Sequence, residues 1–226
     1  MLVLVEKARS AEDAGDFAAA FQAWNQLVSE TRRADHYCQL GRVASKLGMW
    51  AEAEKAFHDA LAIKPHFAVA MLMFGSLLLI RTDGDQTDNA KTAKDWLLRA
   101  MEIDRTAMAL SLMGAADYRL GEKDAAKDAY RAAIEIDGAY EEAYFNLGNI
   151  VAEEGDDAEA ERLLRRAIQL DPNYHVAHGR LGILLQRVGR SSEGEAELKR
   201  ALEINPADAI ASRYLNRVAG GLGSTN

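Results

Sequence analysis

The sequence predicts an all-α fold assembled from repeated helix pairs. Three observations carry that expectation. Alanine, the strongest helix former, occurs 41 times in 226 residues, and proline, the strongest breaker, only three times. Glycines recur with a period of 34 residues, the mark of a repeat architecture. No β-branched run of alternating polarity suggests a sheet. With 49% hydrophobic residues the chain has enough apolar surface for a core, and its length, against a prior of roughly 150 residues per domain, allows one or two domains.

The period rests on two independent glycine series. Gly41, Gly75, Gly114, Gly148 and Gly182 each follow a Leu, Phe or Met and stand 34, 39, 34 and 34 residues apart. Gly15, Gly48, Gly121, Gly155 and Gly189 stand 33, 73, 34 and 34 apart, and 73 is a 34 and a 39 taken together. Both series share one period and one five-residue slip. The first series lets two helices of a pair approach closely, and the second supplies the positive-φ residue that ends the first helix.

The rest of the unit follows from these anchors. One copy reads Tyr144-x2-Leu147-Gly148-x2-Val151, then Gly155, Ala160, Leu164, Ala167 and Pro172. Another reads Tyr37-x2-Leu40-Gly41, then Gly48, Ala53, Phe57, Ala60 and Pro65, and a third His178-x2-Leu181-Gly182, then Gly189, Leu198, Ala201 and Pro206. The alanines are small where the hairpin crosses, the large Phe57, Leu164 and Leu198 fill grooves, and the prolines stop the second helix. This unit resembles the tetratricopeptide repeat, whose pattern is W-x2-L-G-x2-Y, A-x3-F, then P over 34 residues.

The resemblance places six repeats at 1–33, 34–67, 68–106, 107–140, 141–174 and 175–208, within one solenoid spanning 1–219. The first repeat is degenerate in its first helix but clear around Gly15, Ala20, Trp24 and Leu27; Arg105 and Gly138 replace proline in repeats 3 and 4. Residues 209–219 read as a capping helix, with Tyr214 and Leu215 covering repeat 6, and 220–226 as a flexible tail. By resemblance the stack is a right-handed α-solenoid with the first helix of each pair on its concave face.

The five-residue slip falls after Arg81, in the segment Thr82 to Asn89, whose turn formers and three aspartates predict a polar loop with a helix cap. Asp83-x-Asp85 begins like a calcium loop, but Thr87, Asp88 and Lys94 occupy positions that such a loop gives to Asp or Asn, Gly and Glu.

Signatures of chemistry are missing. No GxGxxG, GxxxxGK[ST], HExxH or GxSxG motif is present, so no enzyme activity and no cofactor are expected. His175 and His178 lie three apart, a spacing that two metal ligands on one helix face would have, but His178 takes the aromatic packing position of its repeat and no third ligand suggests itself beyond Asp171. Cys38, the single cysteine, excludes an intrachain disulfide and reads as a small groove residue without a general base beside it.

The family resemblance instead points to the exposed positions of the first helices. Carried over residue by residue, these include Arg42 in repeat 2; Val69, Leu72, Ser76 and Leu79 in repeat 3; and Met108, Ser111 and Tyr118 in repeat 4. Repeat 5 supplies Glu142, Phe145 and Asn149, and repeat 6 supplies Val176, Ile183 and Arg187. The middle of this set is apolar, as interaction surfaces often are. The expected function is a non-catalytic adaptor holding a peptide or helix of a protein partner. The Lys and Asn set by which chaperone-binding members of the family grip a C-terminal carboxylate is not assembled, nor is the asparagine ladder of its sugar-transfer members.

The formal charge of −8 argues against nucleic acid as a partner. It is unevenly spread: residues 114–161 carry −10 and residues 162–226 carry +4. Unlike ends, or the apolar Leu2, Val3, Leu4 and Val5, make self-association into a homo-oligomer the alternative expectation. No apolar run approaches the roughly 18 residues of a membrane span, and no export signal is visible, so a cytoplasmic location is expected, with a periplasmic or exported one as the alternative if a leader was trimmed.

Overall fold

Each second helix begins where a glycine or an acidic residue stops the chain and restarts it. In the computed structural model, which describes residues 2–221 and the side chains of residues 2–217, the glycines of the second series all take positive φ, from 71° at Gly48 to 91° at Gly155. Left-handed backbone at these points turns the chain back on itself, which only glycine does without strain. Asp16 and Asp156 then cap the helices that follow, accepting from Ala19 N at 2.9 Å and Glu159 N at 3.1 Å. The second helices end two residues ahead of Pro65, Pro172 and Pro206.

Thirteen helices and no strand are found among the described residues. Within the chain they divide into two compact units, residues 1–126 and 127–226, in which the first helix pairs with the second, the third with the fourth, the fifth with the sixth, the ninth with the tenth and the eleventh with the twelfth.

The first unit holds α1 (Leu2–Asp13), α2 (Phe17–Thr31), α3 (Ala34–Lys46), α4 (Trp50–Ile63), α5 (Ala68–Ile80), α6 (Gln86–Ile103) and α7 (Ala107–Arg119). Consecutive helices pack on one another, and the first helices α3, α5 and α7 also touch in series. Its N-terminal core gathers Ala8, Ala20, Trp24, Leu27, Leu40 and Val43, with Leu4 and Val5 packed against it. Leu2 and Val3 stay exposed, so only half of the apolar N-terminal quartet is available to another surface.

The close approach expected of the first glycine series is visible at Gly41 and Gly75. A Cβ at Gly41 would lie 2.9 Å from the Phe57 ring, and one at Gly75 would lie 2.9 Å from Leu97. Phe57 therefore packs across its own helix pair, and it also stacks on Phe74 of the next pair, with ring centroids 6.0 Å apart.

The segment after Arg81 departs from the expected loop. Only Arg81 to Asp85 lies between helices, and Gln86 to Asn89 form the first turn of α6, which at 18 residues is four longer than α4. The cause is local. The Asp85 carboxylate accepts from Thr87 N at 2.8 Å and Asp88 N at 3.0 Å, and Asp88 adds a negative charge at the helix start. The short connection is pinned from behind by Arg81, which pairs with Asp83 at 2.7 Å and reaches Glu54 of α4 at 2.9 Å.

The boundary between the two units falls inside α8 (Lys123–Ile136), which buries Ala126, Tyr130 and Ala133 on one face. The second unit continues with α9 (Glu141–Glu154), α10 (Asp157–Leu170), α11 (His175–Arg187), α12 (Ser191–Ile204) and α13 (Ala209–Gly221). Here α9 packs on α10 and α11, α11 on α12, and α13 on both α11 and α12. The cap runs two residues beyond its expected end, and its Tyr214 and Leu215 pack against the core of Leu198, Ala201 and Ala211. Residues 222–226 of the expected tail lie outside the described residues.

Candidate partner-binding face

The sequence-derived positions fall on the first helices of both units, and the two units treat them differently. In the first unit, Val69 on α5 and Met108 and Tyr118 on α7 are exposed, while Leu72 and Ser76 are half-buried. Leu79 and Ser111 are buried, at 3% and 2% exposure, and so is Cys38. These three are withdrawn from any docking surface. The reason is that α5 packs against α3, α4, α6 and α7 together, and buries Leu77, Leu78 and Leu79 in succession. A position carried over as outward-facing has no open side there. Burial also pushes the Cys38 thiol up to about 11, against the weaker opposing effect of Arg42, so the thiolate that a nucleophile requires is disfavoured.

Arg42 is engaged within the fold. Its guanidinium pairs with Glu12 of α1 and donates to Gln39 at 2.9 Å, and Glu12 also accepts from Trp24 Nε1 at 2.8 Å. This residue ties repeat 1 to repeat 2.

The second unit brings several of the expected positions around one cavity. Phe145 and Asn149 of α9, Val176, Gly179 and Arg180 of α11, and Asp208, Ala209 and Ile210 at the start of α13 line a cleft of about 450 Å³. Phe145 is held from behind by Tyr174, ring centroids 5.2 Å apart. Ile210, at 55% exposure, stands at the cleft as the most exposed large apolar side chain among those described on α13. A second, smaller cleft of about 110 Å³ adjoins it, lined by Asn149, Ala152, Glu153, Arg180, Ile183 and Arg187 among others. Asn149 and Arg180 belong to both, and Arg180 Nε donates to Asn149 Oδ1 at 2.7 Å. Glu142 is exposed on the first turn of α9, where its carboxylate accepts from the Tyr140 hydroxyl at 3.0 Å.

Asp208 organises this corner. One carboxylate oxygen caps α13, accepting from Ile210 N and Ala211 N at 3.0 Å each, and the other lies 3.1 Å from His175 Nδ1. Burial by itself would raise the pKa of this carboxyl. The donors from Ala211, His175 and Ile210 outweigh it and hold the group below the usual carboxylate range. The cleft is therefore rimmed by an anion that three groups of the fold already hold.

His175 and His178 do not converge. His178 is buried and meets Glu197 at 2.6 Å and the Pro172 carbonyl at 3.2 Å, whereas His175 faces Asp208. Among the described residues no three His, Cys, Asp or Glu side chains come together as metal ligands would.

Sequence reasoning reached Arg180 only as part of the basic C-terminal region, and passed over Asp208 and Ile210. Asp208 carried a readable signal, an aspartate immediately ahead of a helix-forming run. Ile210 carried none, since it matters through the cleft that α9, α11 and α13 form together.

Models of the tetratricopeptide repeat match residues 112–175 and 151–215. Among solved structures the chain is similar to two of MamA, each at 24% identity. One has a TM-score of 0.56 with 78% of this chain and 93% of that one covered, and the other 0.57 with 75% and 96%. It is also similar to YrrB, described as a TPR protein with an unusual peptide-binding site, at 20% identity and a TM-score of 0.54, with 86% of this chain and 98% of that one covered. Compared with curated proteins, the sequence matches none. Among the described residues no helix is long and apolar enough to cross a membrane.

Proposed function

We propose that this chain, which tetratricopeptide repeat models match over residues 112–215 and which folds as solved TPR proteins do, is a non-catalytic interaction scaffold that docks a peptide or helix of a protein partner on its first-helix face. The observation that carries the reading is the cleft framed by Phe145, Val176 and Ile210. Concave, mostly apolar sites with a few placed polar groups are where proteins take ligands. In the first unit, Val69, Leu72, Met108 and Tyr118 offer a further apolar stretch of the same kind. Protein rather than nucleic acid is the fitting partner class, because a net charge of −8 works against a polyanion.

The test is selection of ligands from a random peptide display library against the full chain. Recovered peptides should lose at least about tenfold in affinity for Ile210→Asp, the cost of setting a charge against an apolar contact. Phe145→Glu should weaken them further. Ile210 is exposed, so that variant should melt like the wild type and keep the comparison fair even if Phe145→Glu unfolds. Ligands that bind both folded variants undiminished would sink the reading.

Self-association is the second reading, favoured by Leu2 and Val3, each 75% exposed on α1. Light scattering across a concentration series decides it: a mass that rises with concentration and falls back in Leu2→Glu supports it, and a strict monomer removes it.

A further inference from the structure

Resting on the docking reading above, we propose that the occupant of the C-terminal cleft is an internal partner segment that places a bulky apolar side chain beside an aspartate or glutamate, with Arg180 receiving the carboxylate. Three observations converge on this occupant.

The first is charge. Arg180 is exposed and forms no ion pair among the described residues; its one hydrogen bond, through Nε, goes to the neutral amide of Asn149. Both terminal amino groups of the guanidinium are left for a ligand, in a fork suited to a carboxylate. Two further ionic groups at the clefts are committed within the fold, and Glu153 of the smaller cleft is itself an anion. Arg187 is neutralised by Asp157, and Asp208 is taken up by the α13 cap and His175.

The second is the apolar wall. Phe145, Val176 and Ile210 surround the same cavity, so an acidic group reaching Arg180 brings its neighbouring side chain against them. Glu141 and Glu142 make the first turn of α9 acidic. That favours a single carboxylate over a uniformly acidic segment.

The third decides between the two sources of a carboxylate, a side chain and a chain end. Asn149 and Arg180 line both clefts, with the smaller one continuing along α9 and α11 past Ala152 and Ile183. A chain crossing Arg180 has a surface on either side of it. A free C-terminus would stop at Arg180 and leave the second cleft unfilled.

The experiment measures fluorescence anisotropy of short labelled peptides, blocked at both ends, with a leucine and a glutamate at varied separations, against the full chain. Each is paired with its glutamine twin and with a version ending in a free carboxylate. The best glutamate peptide should bind about tenfold tighter than its twin, the worth of one charge-assisted bidentate contact. Arg180→Gln should bind the two alike, and Arg180→Lys should keep part of the preference. Equal affinity of the twins for the wild type, or a preference that survives in Arg180→Gln, overturns the assignment to Arg180 while leaving the docking reading intact. Preference for the free-ended version overturns the internal segment. Binding by none of the peptides, with Ile210→Asp silent toward display-selected ligands, removes the docking reading and this proposal with it.

Discussion

Replacing Gly182 by alanine is expected to lower the thermal midpoint by about 4–8 °C and to open the α11–α12 pair to hydrogen exchange. A Cβ at Gly182 would sit 2.7 Å from Leu198 Cγ, 2.8 Å from the Gly194 carbonyl oxygen and 3.1 Å from Leu198 N. Two of these three atoms are backbone, so no side-chain rotation relieves them. Overpacking of this kind costs roughly 1–3 kcal/mol and occasionally more, and alanine returns about 1 kcal/mol in helix propensity. A net loss near 2 kcal/mol shifts the midpoint of a chain this long by several degrees. Gly194 is the reciprocal partner, with a Cβ there 2.7 Å from the Gly182 oxygen, so Gly194→Ala should behave alike. Gly148 is the internal control. Its nearest would-be neighbours are side-chain atoms of Leu163 and Leu164 at 3.2 and 3.3 Å, and Gly148→Ala should be close to neutral. Equal melting of Gly182→Ala and Gly148→Ala would refute backbone contact as the cause.

The same two glycines show how far sequence reaches in this chain. Gly182 was legible because it keeps the 34-residue period, and its close approach to the second helix follows from that alone. Gly194 fills the slot that Ala53 and Ala160 occupy in their repeats, five residues after the turn glycine, yet only the packed pair reveals that its α-carbon faces backbone. Positions fixed by local geometry, such as the turn glycines and the prolines after second helices, were readable because one residue type answers one conformation. Positions fixed by neighbours were less so. Leu79 and Ser111 keep the register of outward-facing residues, and burial of α5 and α7 by the helices around them overrides it. The segment after Arg81 is legible as a polar loop with a helix cap, but not where the loop stops: the capping aspartate is Asp85, and the second half of the segment is already helix. At the candidate site, Phe145, Asn149 and Val176 were identified by register, whereas Ile210, and Arg180 as a cleft residue, became visible only when three helices closed a cavity around them.

Replacing Lys94 by methionine is expected to destabilise the first unit by about 3 kcal/mol at neutral pH, and by much less near pH 4–5. Lys94 of α6 lies 2.6 Å from Asp117 of α7 and 2.7 Å from Glu122, and Asp117 is only 4% exposed. Removing the cation leaves a buried carboxylate beside a second one, and breaking a buried pair from one side is the costly way to break it. The pH dependence follows from the direction of the Asp117 shift. Burial raises its pKa above 3.8 and outweighs the attraction of Lys94, with the charge of Glu122 adding to the rise. A carboxyl raised in the native state contributes most below its unfolded value and loses that contribution as pH climbs through the native one. Without Lys94 the native value rises further, so the deficit is largest at neutral pH and shrinks as Asp117 takes up its proton. Glu122 works in the opposite sense. Lys94 lowers its pKa, and the stability tied to that shift is present above 4.5 and is lost as pH falls through the lowered native value. Urea unfolding at pH 7 and at pH 4.5 separates the two. The gap between variant and wild type should narrow at the lower pH, and adding Asp117→Asn should recover most of the loss at pH 7. A gap that stays constant or widens on acidification would mean that Lys94 acts through the packing of its aliphatic stem and not through the charge of Asp117.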